Sequence, residues 1–504
     1  MSVPFKQIPA NLRVPLFYAE LDNSQANTSQ NNQRALIIGQ INGAGLPNSI
    51  PAGQAAPNVP IISQGGSDAA IQGGPGSMLH LMTNAYRLND NFGEVWYLPL
   101  ADDPAAVAAT GSINFTAPPT ASGVLSLYIA GVKISQTVLS TMTAAQLATA
   151  LAATVNATPS LPVTALVDGV TLSKVNFTAL NKGPAGNDID LRVNYLGTRG
   201  GEALPVGLAY TITAMASGAT APSLTTALSN LGSQAFDFIV LPYTDATSLA
   251  AIATLLADTT GRWSWANQLY GHAFSSARGT LGTLQTLGSG LNNQHTTMLG
   301  FNDSPTPNWV WAAALTGAAA PSLRADPAMP LHTLTIAGVL APPLQSRFQL
   351  TDRNTLLWTG ISTFTVADDG TVAIENLITT YQKNAFGNAD NSYLQVETLF
   401  NLAYVLRALK TVVTSKYSRV KLAANGTRFA QGSGIVTPNM IRADLIAQYR
   451  TMEYAGEVQN GDAFKAGLIV QQNAANPNRV DVLYPGILID QLNIFALLMQ
   501  FRLF

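Results

Sequence analysis

The sequence predicts an α/β core carrying a β-rich insertion, an α+β carboxyl-terminal region, and strand-forming arms at both ends. Three observations lead there. Buried-type strand runs alternate with helical patterns in two separated stretches, 34–104 and 222–355. Between them, over 105–221, the texture changes to short Val, Ile, Leu and Thr runs broken by Gly, Pro and Asn. From 356 a hairpin signature leads into a long amphipathic helix within a region reaching 478.

The core opens on Arg34-Ala35-Leu36-Ile37-Ile38-Gly39, a continuous apolar run suited to a buried strand. A Gly/Pro-rich loop reaches Gly76. Ser77 then supplies an N-cap for a helix to about Leu88, and 94–99 follows as a strand. The alternation resumes with a strand at 236–242, a helix at 246–256, and strands at 269–274 and 297–301. Inside the insertion, strand runs lie at 124–129, 163–167, 175–180 and 189–195. Thr143 and Gln146 form a capping box for one Ala-rich helix, whose Leu147, Leu151 and Val155 share a stripe.

Downstream, Asp369-Gly370 is the turn of a hairpin joining 364–367 to 371–374. A helix over 392–417 places Leu399, Leu402, Leu406, Leu409 and Val413 at helical spacing. A second hairpin joins 468–471 to 479–484 through an Asn/Pro-rich turn. Residues 1–33 read as an arm and its tether. Val14, Phe17 and Tyr18 are the arm's apolar residues, and the stretch DNSQANTSQNNQ is too polar to pack. Extended, that tether spans at most about 40 Å. The other arm, 479–504, carries Leu492, Ile494, Phe495, Leu497 and Phe501. Asp490, Gln491, Asn493, Gln500 and Arg502 interrupt it, so it fails as a membrane span and needs another burial partner.

Composition narrows the function classes. With 504 residues, two to four packed units are expected, and 47% hydrophobic content supports real cores. Only 11% of residues are charged, against about 25% in ordinary soluble domains. A surface depleted in Lys and Glu resembles the centre of an oligomer interface, although a neutral secreted-type surface has the same composition. The net charge of −2 provides no basic field for direct nucleic-acid binding. There is no cysteine, so disulfides and Cys-held metals are excluded, and the amino terminus lacks a signal-peptide pattern.

No catalytic or cofactor constellation emerges. Gly43-Ala44-Gly45 follows a strand, but Pro47 and Asn48 break the dinucleotide-loop spacing, and no Gly-Lys-Ser/Thr phosphate loop occurs. His80, His272, His295 and His332 have no metal-site spacing. Ser275 and Ser276 near His272 are local neighbours, without a Gly-x-Ser-x-Gly elbow. Asp102-Asp103 and Asp368-Asp369 read as turn residues.

Several passages carry a resemblance. Arg13-Val14-Pro15 running into Leu21-Asp22-Asn23-Ser24 resembles the amino-terminal arm of Mu-type phage tail sheath proteins. So do 375–381 (ENLITTY), 392–399 (SYLQVETL), 415–423 (SKYSRVKLA), 436–438 (VTP) and 476–483 (NPNRVDVL). The resemblance implies a virion subunit, assembled in the host cytoplasm, that packs with itself as stacked hexameric rings around a tail tube. It implies a core of subtilisin-like topology without peptidase function, and terminal arms that join a sheet in neighbouring subunits. Its other partners would be baseplate and tail terminator proteins, with no cofactor. Since the carboxyl-terminal region lies innermost in that family, Lys410, Lys416, Arg419 and Lys421, which have no intervening acid, are the tube-facing candidates. Their alternative role is the ordinary placement of cations at a helix carboxyl end. Two other readings compete with the sheath: a tail-surface module whose insertion binds host glycan, and a serine hydrolase on a subtilisin-like core.

Overall fold

Backbone amides inside an apolar layer must find partners there, and the run after Arg34 finds them on both sides. The computed structural model describes residues 33–503, so Val14, Phe17 and Tyr18 of the expected amino-terminal arm lie outside the described residues. Strand β1 (Ala35–Gln40) is buried at every position. After β2 (Ile61–Ile62), α1 (Gly66–Gln72) and α2 (Met78–Asn89), the chain returns as β3 (Val95–Leu100). β3 pairs in parallel with β1, and β2 adds antiparallel at its outer edge. The Ser77 side chain accepts from the His80 N–H and starts α2 where the sequence places it.

The insertion builds a separate apolar cluster. β4 (Thr110–Ala117), β7 (Val163–Val167), β8 (Lys174–Ala179) and β10 (Ala209–Ala216) form one sheet in the order β10-β4-β8-β7. A second sheet takes β5 (Gly123–Ile129), β6 (Val132–Val138) and β9 (Leu191–Val193). Helix α3 (Ala144–Asn156) begins with both bonds of the Thr143–Gln146 capping box, and Leu147, Leu151 and Val155 are buried. Polar staples join this body to the core. Asp102 accepts from Gln40 Nε2 at 2.7 Å and from Lys182 N–H at 3.1 Å, while Arg278 meets the partly buried Asp188 at 2.6 Å.

Past the short α4 (Thr225–Ser229) the core resumes with β11 (Phe238–Val240), α5 (Ala246–Leu256), β12 (His272–Arg278), α6 (Leu281–Ser289), β13 (Thr296–Phe301), α7 (Asn308–Ala325) and α8 (Leu350–Trp358). The sheet order is β13-β12-β11-β1-β3-β2, parallel throughout except for the β2 edge. β12 starts at His272 rather than 269, because Leu269 N–H is drawn back to the Arg262 carbonyl at 2.8 Å. α7 packs on α2, and Gly317 permits the close approach: a Cβ there would lie 2.5 Å from the Tyr86 carbonyl oxygen.

The remaining elements are the hairpin β14 (Thr363–Val366) and β15 (Val372–Asn376), then α9 (Val396–Tyr417), β16 (Lys421–Leu422), β17 (Ile435–Val436) and α10 (Pro438–Ala455). They end with β18 (Val458–Gln459), α11 (Gly461–Gly467), β19 (Ile469–Gln472), β20 (Val480–Leu483) and β21 (Ile487–Leu488). α9 starts at Val396 rather than 392, since Asp390 and Ser392 form a local turn through a 2.9 Å bond. Its burial also departs from the expected stripe. Leu399 is buried with Phe400 and Ala403, whereas Leu406 and Val413 are exposed. A small cluster around Leu445, Tyr449, Met452 and Phe464 holds the end of the chain together.

Helix α9 is shared between this cluster and the core. Phe400 stacks on Phe238 with centroids 5.1 Å apart, and Arg407 bonds to Asp237 at the foot of β11. Asp237 also accepts from Arg34 N–H at 3.2 Å, and its side chain is 4% exposed. Removing one partner of such a buried pair strands the other charge, at a cost of about 3–5 kcal/mol. Asp237→Ala is therefore expected to lower the stability of the full chain by that amount in denaturant unfolding. A loss below about 1 kcal/mol would mean the pair behaves as an exposed one.

Candidate assembly surfaces

The carboxyl-terminal tail leaves the body at a defined root. β21 pairs antiparallel with β18, and Ile487 N–H donates to the Tyr449 hydroxyl at 3.0 Å. Gln459 Nε2 holds both the Leu488 carbonyl and the Asp490 carboxylate at 3.0 Å. The Tyr449 ring is fixed by stacking on Phe464, with centroids 3.8 Å apart. Beyond this root the described residues form no further strand or helix. There Leu492, Ile494, Phe495, Leu497 and Phe501 are each at least 73% exposed. Residues 480–483 belong to the body as β20, so the stretch without strand pairing starts at 489 rather than 479.

Beside the root stands a two-stranded hairpin. β19 and β20 pair only with each other among the described residues, which leaves both outer edges of the hairpin open. Val480, Val482 and Tyr484 alternate along β20 and line one wall of an open groove of about 440 Å³. Leu409 and Val413 of α9 line it too, so the exposed Val413 of the expected stripe faces this groove, whereas the exposed Leu406 does not.

The four expected cations are not gathered at one face. From 398 to 443 the sequence has seven Lys and Arg and no Asp or Glu. The fold nevertheless brings Asp444 from α10 to Lys416 at 3.0 Å, and the Tyr417 hydroxyl donates to the same carboxylate. Lys410 lines a different groove of about 1010 Å³, between α9 and the core, with Arg324, Arg407 and Tyr270. Arg419 and Lys421 are exposed and make no ion pair among the described residues.

Comparison with known proteins gives the family. Residues 217–380 match the family described as phage tail sheath protein central domain, and 388–502 match the phage tail sheath C-terminal domain. The Mu-like prophage FluMu tail sheath protein of Haemophilus influenzae is 38% identical over 505 residues, covering 100% of both chains. The chain belongs to the Mu-type contractile tail sheath family. Two solved structures are similar to this sheath chain. The sheath tail protein of Desulfitobacterium hafniense is 13% identical with a TM-score of 0.47, covering 95% of this chain and 97% of that one. The sheath tail protein Lin1278 of Listeria innocua is 10% identical with a TM-score of 0.48, covering 91% and 92%.

The four histidines and Ser276 of the sheath chain have structural partners, whereas Ser275 Oγ is buried without one among the described residues. His272 Nε2 lies 2.8 Å from Thr297 Oγ1, and burial holds its imidazole well below the usual range. Ser276 donates to the Asn308 carbonyl at 2.6 Å, away from that ring. His295 meets Asp258 at 2.7 Å, His80 accepts from Gly76 N–H, and His332 lies against the Glu375 carbonyl. Asp103 and Asp369 accept from backbone N–H groups two residues on, as turn residues do. Gly43-Ala44-Gly45 runs into a loop with only a three-residue 3₁₀ turn at Pro47–Ser49. Among the described residues no helix is long and apolar enough to cross a membrane.

Proposed function

We propose that this sheath subunit polymerises as stacked hexameric rings around a tail tube, is held in a metastable extended state, and shortens to drive the tube through the host envelope. The observation that carries this reading is the exposed apolar tail beyond the root, next to an open-edged hairpin and an apolar groove. A tail from a neighbouring copy, added to the β20 edge, would place alternate side chains in that groove. Each backbone bond would contribute about 0.5–1.5 kcal/mol, and each buried Leu or Phe about 1.5–3 kcal/mol. The amino-terminal arm, with Val14, Phe17 and Tyr18, would join a neighbour in the same way. Such links persist while the bodies rotate, and the energy of contraction is the difference between two packings of the same subunits.

The finer assignments follow from this arrangement. The parallel sheet is the part of the core that supports a subtilisin-like topology. The insertion, with its own apolar cluster, fits an outer position. Arg419 and Lys421 are the best placed of the four cations for an inward grip on the tube, because each is exposed and unpaired. Exposed ion pairs are weak, about 0–1 kcal/mol each, so a grip that must release gains its strength by repetition along the stack. Baseplate and terminator proteins would meet the two ends of the polymer.

Deleting 490–504 is expected to leave a folded subunit that forms no long hollow cylinders in electron micrographs. Cylinders of normal length from that truncation would overturn arm exchange at this end. Arg419→Glu with Lys421→Glu is expected to weaken assembly on purified tubes and flatten its dependence on salt. Unchanged assembly at low and high salt would remove both residues from the tube interface.

A further inference from the structure

Glu457 occupies the junction of three elements and has no role in the contacts described so far. It follows the left-handed Gly456 that ends α10. Its backbone carbonyl accepts from Asn401 Nδ2 of α9 at 2.8 Å and from Ile489 N–H of the tail root at 3.2 Å. Its side chain turns inward: the residue is 6% exposed, and Oε2 has no hydrogen-bond partner. Asn401 Oδ1 beside it is also unpartnered. Asp326, from the loop after α7, opposes Glu457 electrostatically, and Tyr404 of α9 senses both carboxylates. The same loop reaches the tail, since Gln491 Nε2 approaches the Ala328 carbonyl at 3.5 Å. At the amino end of α9, Glu397 Oε1 accepts from the Leu331 N–H at 2.9 Å.

We propose that Glu457 is a proton-operated latch on the root of the carboxyl-terminal tail, closed when its carboxyl is protonated and loosened when it ionises. An ionised carboxylate here is buried, lacks a donor for Oε2 and faces a second carboxylate, so opening the root to water relieves it. Burial, followed by Asp326, pushes the Glu457 carboxyl up to about 7, which places the change of charge in the neutral range. The closed root thus holds a proton that an open, hydrated Glu457 releases at ordinary glutamate pH. Closure is fully favoured below that ordinary range and weakens as pH rises through about 7. The latch acts within one chain, so it stands apart from arm exchange between subunits.

The test is hydrogen exchange on the full-length chain, corrected for the intrinsic pH dependence of exchange and read on peptides covering 486–491. Protection is expected to fall about tenfold from pH 6 to pH 8 in the unaltered chain, and to stay high at both in Glu457→Gln. Asp326→Asn provides a second reading should the first variant fold poorly, and should move the midpoint to lower pH. Equal protection at both pH values in the unaltered chain would overturn the latch. So would an unaltered pH response in Glu457→Gln, or an unmoved midpoint in Asp326→Asn.

Discussion

An apolar tail that finds no partner among the described residues constrains everything else about this molecule. From Leu492 onward the tail presents a run of exposed Leu, Ile and Phe side chains to water, in a chain of which only 11% of residues are charged. Hydration satisfies the backbone there, but water leaves the apolar area uncovered. The body offers complementary surface in the open hairpin β19–β20 and the groove along β20. Donor and acceptor patches that differ would, in the proposed assembly, join identical copies head to tail into rings or an open stack.

The body must stay rigid for such links to transmit force, and α9 provides much of that rigidity. Its first half is clamped to the parallel sheet by Phe400 on Phe238 and by Arg407 on Asp237. Its second half runs past the small carboxyl-terminal cluster and lines the groove with Leu409 and Val413. A pull on a neighbour's tail in that groove would therefore be carried by one helix into the buried end of the sheet. The insertion is fastened differently, through Asp102, Asp188 and their polar partners, at a distance from this line of force.

Local signals in the sequence were readable, and long-range pairings were not. Ser77, the Thr143–Gln146 box and the Asp369-Gly370 turn each act within a few residues, and each element begins or turns where expected. Helix α7 escaped notice because it is buried nearly all round, which removes the amphipathic period, and because Pro321 lies inside it. The cations near the end of α9 looked like one patch in sequence, but Asp444 is supplied from α10 and Lys410 faces another groove. Glu457 gave no signal, since a lone acid before a short strand becomes unusual only when Asp326 is folded against it. The family passages pointed to the sheath from sequence alone, and the full-length likeness agrees.

In the proposed assembly the tail of one subunit lies on the hairpin of another copy. The chain has no cysteine, so a single engineered pair can report on that contact without background. Val482→Cys with Phe495→Cys should give, on mild oxidation of assembled sheaths, a ladder of covalently linked multimers that collapses under reductant. Exclusive formation of compact, internally crosslinked monomers, or no crosslink at any tail position from 492 to 501, would contradict the account.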